Sequence, residues 1–353
     1  MDFDDLRIYT QTVIANTNWL IDVDKIFERL EVTKYLFFPA PRKNSSSKSK
    51  KGNLTTAIDF HLQKLKEGSI ITIKYKDRTR GVDIKEMKKL YSNRTSKSKK
   101  KSNIKPFRNS MMIVMKIAGK KITLKLPSFG RIQFCGCKEQ NHAVLAVKHL
   151  FRNIYSIYKK DKTVLMTLSD YPSFMSEKPT NYKISEKMEN DPEFKNLKHN
   201  PKVLFQSVMI NKDFNLGFVI DRNKLNAFIN SSTEYTSLLE TSVNTSANIK
   251  IKSNPNFRPP LKQIILEKKW TDGEMKYSDY LEHLNNVELK KEKKDKYHTF
   301  LMFQSGAIIL SSPYLVEMKM VFDKFVKYVL KHKEVIEEKL IEESKEFTPT
   351  LTF

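Results

Sequence analysis

Two glycine-centred stretches carry the same alternation of apolar and polar positions. In residues 123–136 (TLKLPSFGRIQFCG), Leu124 and Leu126 alternate with Lys125 and Pro127, and beyond Gly130, Ile132 and Phe134 alternate with Gln133 and Cys135. A period of two predicts a half-buried β-hairpin with one face on a core and one face open. Residues 299–312 (TFLMFQSGAIILSS) repeat the pattern around Gly306. There the positions that match the open face are Leu301, Phe303, Ile309 and Ser311, so this hairpin is largely apolar on both faces.

A helix pattern follows each hairpin. Ala143, Val147, Leu150, Ile154 and Ile157 recur at steps of three and four, which predicts one apolar stripe. In the second copy Pro313 suits a first turn, and Val321, Phe325, Val329 and Ile336 continue a stripe expected to run to about Glu343. The likeness extends upstream, where Ile21-Asp22 and Lys25-Ile26 in residues 13–30 answer Ile220-Asp221 and Lys224-Leu225 in residues 208–228. Each copy therefore reads strand, helix, strands, helix, and an internal duplication sets the organisation. The expected division is a first repeat at 1–159 with an insertion at about 40–108, a polar connector at 160–202, a second repeat at 203–345 with an insertion at about 253–297, and a tail at 346–353.

The insertions differ in character. The first holds two basic low-complexity runs, RKNSSSKSKKG (42–52) and SNRTSKSKKKSNIK (92–105), expected to be mobile, around a segment that reads as a helix and then a strand. The second carries Pro259-Pro260 and then a small helical excursion around Trp270, Tyr277, Tyr280 and Leu281.

Charge narrows the class of partner. Lys and Arg number 64 against 40 Asp and Glu, a formal charge of +24, and a polyanion, nucleic acid first, is the expected partner. A lysine-rich proteome from an AT-rich genome is the competing source of that bias. No apolar run approaches membrane-spanning length and the N-terminus, MDFDDLRIY, lacks an apolar signal region, so a soluble intracellular protein without membrane contact is expected. Cys135 and Cys137 are assigned to opposite faces of one strand, which disfavours a mutual disulfide, and their spacing fits no zinc pattern. A reducing compartment follows. No glycine-rich phosphate loop, metal-ligand cluster or Ser-His-Asp order is apparent, and His142 and His149 have no carboxylate or thiol at ligand spacing. Acidic residues fall mainly in solvated helical runs such as EVIEEKLIEESKE. Neither catalysis, nor a metal, nor a cofactor is expected.

The segments SGAIILSS and FQSG with the helix after them, PSFGRIQFCGCKE, the upstream IVMKIAGKK, and VIANTNWLIDVDKI resemble, in order and in duplicate, the paired strands of the TATA-box-binding protein family. The likeness covers about half of the chain. The insertions, the lysine bias and the divergence look like a version from a large DNA virus. The resemblance implies an α+β fold: a saddle-shaped, curved antiparallel sheet built from two pseudosymmetric repeats with helices on the convex side. It implies that the concave side lies along the minor groove of AT-rich promoter DNA, a groove whose readout is mostly A·T against G·C and which this family kinks with apolar wedges. The partners it implies are double-stranded DNA, other initiation factors and RNA polymerase, with a monomer on DNA in the host nucleus or a cytoplasmic viral factory.

Carried across residue by residue, the resemblance places Phe303 as a wedge, with Leu301 beside it and Ile309 and Ser311 lining the groove. In the first half Arg131 takes the place of a phosphate-contacting Lys, Lys116 a basic place on the preceding strand, Gln133 and Cys135 groove-lining places beside Lys125, and Thr10 that of a base-contacting Asn. The chain also departs from the pattern. Pro127 and Ser110 stand at or near the first-half wedge positions, Ala307 replaces a Lys, and the partner of Phe303 has no match. Phe129 and Phe107 lie close to the vacant first-half sites. A non-enzymatic interaction scaffold with only nonspecific DNA contact is the alternative, favoured if Leu301, Phe303 and Ile309 are buried. An accessory domain of a nucleic-acid-processing enzyme is a third, and this chain carries no catalytic block for it.

Overall fold

The structure, a computed structural model, describes residues 2–33, 63–82, 109–172, 197–239 and 246–338. The basic runs 42–52 and 92–105, Phe107 and the tail 346–353 lie outside the described residues. β1 (Ile8–Ile21) leads to α1 (Val23–Arg29), then β2 (Ile70–Tyr75), β3 (Arg78–Gly81), β4 (Ser110–Ile117), β5 (Lys120–Pro127) and β6 (Phe129–Cys137). α2 (Gln140–Tyr158) and the short β7 (Leu165–Thr167) close this series. The next series is β8 (Lys202–Asn215), α3 (Arg222–Ser232), β9 (Thr236–Leu239), β10 (Ser246–Lys252), β11 (Leu261–Leu266) and β12 (Trp270–Met275). It ends with α4 (Tyr277–His283), α5 (Asn286–Glu292), β13 (Tyr297–Phe303), β14 (Ala307–Ser312), α6 (Leu315–Lys331) and α7 (Lys333–Ile336). This is the α+β class, with antiparallel ladders throughout the described pairings.

The chain divides into two compact units, and each repeats one set of hydrogen bonds. The larger comprises Ile8–Ile210 and Asn256–Lys294; the smaller comprises Met1–Arg7, Asn211–Pro255 and Asp295–Phe353. In the larger, the Ile21 N–H donates to the Ser128 carbonyl at 2.7 Å and the Asp22 N–H to Val164 at 3.1 Å. In the smaller, Ile220 donates to Gln304 at 2.8 Å and Asp221 to Ile336 at 2.9 Å. Asp22 and Asp221 then cap α1 and α3, accepting from Lys25 N–H in one and from Asn223 and Lys224 N–H in the other. The Ile-Asp pairs legible in the sequence are therefore joints, each tying the end of a strand to the glycine hairpin and to the chain beyond the long helix.

The larger unit's sheet runs β3-β2-β4-β5-β6-β1, with the start of β8 beside β1 and the β11–β12 hairpin beside β8. The strand expected in the first insertion is β2, which lengthens this sheet by pairing with β4. α2 lies on one face with Ala143, Val147, Leu150 and Ile154 buried and Ile157 partly so, and Trp19 meets Phe151 at 5.0 Å between ring centroids. The smaller unit's order is β14-β13-β10-β9, with the end of β8 next to β14. α6 covers it, with Phe300 and Phe325 at 4.1 Å. Each such side chain removed from water contributes roughly 1.5–3 kcal/mol. The last helix is broken at His332, where the backbone leaves the helical region (φ −109°, ψ 26°), instead of continuing unbroken toward Glu343. That break lets the Ile336 carbonyl reach Asp221. The N-terminal segment, which the sequence marks only as acidic, is anchored: Phe3 is buried, its ring lies tilted against Phe322 at 5.4 Å between centroids, and its carbonyl accepts from the Lys212 ammonium at 2.9 Å.

The second insertion does not form only a helical excursion. Trp270 begins strand β12, and α4 starts at Tyr277. An unbroken strand would put Cys135 and Cys137, two residues apart, on the same face. The ladder slips between Val13–Phe134 and Gln11–Cys137, and Gly136 between them has φ +88°, which is what leaves Cys135 half-exposed and Cys137 buried. Burial pushes the Cys137 thiol up to about 12.

Gly130 and Gly306 occupy left-handed backbone (φ +51° and +79°) and seat a neighbouring carbonyl where a side chain would be. A Cβ would lie 2.6 Å from the Thr17 carbonyl oxygen at Gly130 and 2.2 Å from that of Phe218 at Gly306. Gly306→Ala and Gly130→Ala should each lose more than the roughly 1–3 kcal/mol that φ strain alone costs, since backbone must also move. Gly273→Ala, with open space around it, should stay within about 0.5 kcal/mol in denaturant unfolding.

Buried imidazoles give a second expectation. His298 is fully buried, with Nδ1 2.8 Å from Ser312 Oγ and Nε2 3.3 Å from Glu317 Oε2, the latter not aligned as a hydrogen bond. Burial holds His298 below the ordinary 6.5, against the opposing pull of Glu317, and burial likewise lowers His142, His149 and His199. The unfolded chain binds these protons first, so stability is complete above about pH 6.5 and falls as pH drops below it. Melting curves from pH 7.5 to 5 should show that fall, and His298→Gln should lessen it by the share that His298 contributes.

Candidate functional site

The strands expected to carry the site have the burial alternation that the sequence pattern requires. On β13 and β14, Phe300, Met302, Ile308 and Leu310 are buried under α6, while Leu301, Phe303, Ile309 and Ser311 are half-exposed on the other face. Ladder partners share a face, so the register assembles a row: Ile309 opposite Leu301, Leu301 opposite Asn248, Asn248 opposite Leu238. Leu238 is 52% exposed. Next to this row stand Phe303 opposite Ser246, and Ser311, Thr299 and Lys250 in succession. The smaller unit thus presents an apolar sheet face, edged with amides, hydroxyls and one lysine, on the side away from α6.

The corresponding row in the larger unit is of different chemistry. Ile14 stands opposite Gln133, Gln133 opposite Lys125, Lys125 opposite Met112, Met112 opposite Lys74, and Lys74 opposite Thr79. Cys135 and Thr123 form the adjoining pair, and Arg131, exposed, faces Asn16. Thr10 is half-buried on the same side of β1, in step with Thr12 and Ile14. This face is mixed and basic where the other is apolar.

One expected role is corrected. The sequence assigns Lys116 to an open basic position, but it is 8% exposed, and its ammonium donates to the main-chain carbonyls of Gln63 (2.8 Å) and Leu65. The chain leading into β2 covers it, and an ammonium spent on two carbonyls is not presented to a ligand. Sequence reasoning also leaves residues out of the site. Phe129, which the sequence places near the vacant first-half sites, is 49% exposed on the same side of β6 as Arg131 and Gln133, whereas other members of these faces are left out. Ile14, Met112, Asn248 and Leu238 share these faces through ladder register, which a single strand's pattern does not reveal.

Among the described residues no group of three or more His, Cys, Asp or Glu side chains is placed to hold a metal ion, and no helix is long and apolar enough to cross a membrane.

The chain matches no family model and no curated protein. Among solved structures it is similar to the TBP of Methanococcus jannaschii, with a TM-score of 0.36 and 9% identity over 92% of this chain and 98% of that one.

The two faces of β13 should respond differently to truncation. Phe300→Ala is expected to cost about 3–5 kcal/mol as a core cavity, whereas Leu301→Ala and Phe303→Ala should cost under about 1 kcal/mol. Chemical denaturation of the three variants checks this, and equal losses would place both faces in the core.

Proposed function

We propose that the chain is a TATA-box-binding-protein-like DNA-binding transcription initiation factor, whose open sheet faces lie on the minor groove of AT-rich promoter DNA. The observation that carries the reading is the open apolar patch of the smaller unit, Ile309 and Leu301 with Phe303 beside them and Leu238 beyond Asn248, on the side away from the helix. A sheet face turned to water would be polar there. Of the segments quoted for the family resemblance, FQSG and SGAIILSS fall on β13, β14 and the turn between them, and the charge of +24 suits a polyanion.

In this reading Phe303 is a wedge that unstacks a base step, Leu301, Ile309 and Ser311 line the groove, and Thr10, Gln133 and Cys135 line it in the other half. Lys125 and Arg131 hold phosphates and set register. Phe129 takes the wedge role for which Pro127 is unsuited. The saddle form, the association with other initiation factors and RNA polymerase, action as a monomer on DNA, and a viral origin belong to the same proposal. The scaffold alternative would gain from burial of Leu301, Phe303 and Ile309, and their half-exposure favours the DNA-binding reading over it.

Duplexes of AT-rich and GC-rich sequence, titrated at several salt concentrations, test the reading. Tighter binding to the AT-rich duplex is expected; identical binding to both, or none at moderate salt, would sink it. Phe303→Ala should reduce DNA bending, read by end-to-end energy transfer, more than it reduces nonspecific affinity. A parallel loss of both would show that Phe303 is no wedge.

A further inference from the structure

The insertion within the second copy builds a rigid platform. Its β11 strand pairs with β8 from Lys202 to Phe205, and the face carrying Ile264, Leu266 and Trp270 joins the core under α2, Trp270 meeting Phe151 edge-on at 5.5 Å. The opposite face builds a separate core, in which Leu261 is buried with Leu204, Tyr171, Tyr280 and Leu284. Leu204 alternates with Val203 and Phe205, which point into the α2 core. The second core therefore lies on the side of the sheet away from α2, the side on which Ile14, Gln133 and Lys125 stand.

α5 is fastened to this platform. Asn285 caps it by accepting from the Val287 and Glu288 N–H groups, Leu289 packs on the second core, and Glu292 Oε1 accepts from Gln206 Nε2 at 2.9 Å and from the Tyr277 hydroxyl at 2.6 Å. With Leu289 and Glu292 turned inward, Lys290, Lys291, Lys293 and Lys294 are exposed. None of the four side chains makes an ion pair or hydrogen bond with a described residue. The carboxylate in their midst, Glu292, is occupied, and Asp295, next in the chain, pairs with Lys252 at 2.9 Å. Four like charges within five residues repel one another, and none of them is ion-paired to a described residue.

We infer that this lysine cluster is a phosphate-binding element that extends the footprint of the bound duplex beyond the sheet face of the larger unit. The inference rests on the DNA-binding reading and adds to it an anchor outside the duplicated strands. Lysine ammoniums on flexible stems suit a row of phosphates, where each ion pair releases counterions. Such pairs add affinity without sequence information.

The test compares two charge-matched quadruple variants of the full chain. One is K290Q/K291Q/K293Q/K294Q; the other is K324Q/K327Q/K331Q/K333Q, on α6 and α7. Binding of a long AT-rich duplex is measured from low to moderate salt, with melting curves confirming that both variants fold. The α5 variant should bind about tenfold or more weakly, and the slope of log Kd against log salt should become shallower by about 2–4, at roughly 0.9 for each phosphate no longer neutralised. The control variant should shift that slope by less than about 1, and K290Q/K291Q alone should fall between wild type and the full variant. A slope unchanged in the α5 variant, or equal weakening in both quadruple variants, would overturn the inference while leaving the DNA-binding reading intact. An α5 variant that keeps the wild-type DNA slope but no longer binds polyglutamate would reassign the cluster to an acidic protein. Wild-type chain that binds no duplex at any salt would remove the DNA-binding reading itself, and this inference with it.

Discussion

Each half of the chain hangs on a carbonyl oxygen seated against a glycine. The Thr17 oxygen lies where a side chain on Gly130 would be, and the Phe218 oxygen where one on Gly306 would be. Left-handed backbone at both positions makes the turn available at no steric cost only because no Cβ is present. The turn brings Ser128 and Gln304 within reach of the Ile21 and Ile220 N–H groups. Those bonds aim the Asp22 and Asp221 caps, and the caps start α1 and α3. Strand end, hairpin and helix start are thus fixed together, and the faces of β5, β6, β13 and β14 take their direction from the same point.

The sequence displays these joints through side chains but conceals the bonds themselves. Glycine, Ile-Asp and the period-two alternation are visible because each is a requirement on residue type. The donors and acceptors that they position belong to the backbone, which any residue at 128 or 304 would supply. For the same reason the open-face residues Leu301, Phe303, Ile309, Gln133 and Cys135 are legible from alternation, whereas Asn248, Leu238, Ile14 and Met112 join them only through register between strands far apart in sequence. Lys116 is misplaced by sequence reasoning because what covers it, the chain at Gln63 and Leu65, arrives from an insertion with no pattern pointing to β4. The cysteine pair shows the converse. Opposite faces are reached by way of a bulge at Gly136, which simple alternation does not contain.

The insertions are built into the fold. β2 lengthens the larger unit's sheet, and the β11–β12 hairpin, although it interrupts the second copy in sequence, belongs to the larger unit in space. It does so because β11 has two faces with separate cores to fill, one under α2 and one around Tyr171 and Tyr280. A duplicated chain that receives material in both copies can in this way end with unequal units. The larger holds most of the added structure, and the smaller remains close to the bare strand, helix, strands, helix pattern.

That inequality extends to the chemistry of the two open faces. An apolar face gains by displacing water from a surface of matching shape, and it gains little from charge. A face carrying Lys125, Gln133 and Arg131 gains by neutralising phosphates and hydrogen-bonding polar edges, and it depends on salt. Duplex DNA offers both surfaces, a minor-groove floor and a phosphate rim, and under the function proposed above each face would meet the one that suits it. In the smaller unit Phe303 stands at the end of its strand before the glycine turn; in the larger, Phe129 stands immediately beside the glycine. Under the function proposed above, the chemistry of the faces would make the apolar one shape-selective and the basic one electrostatic.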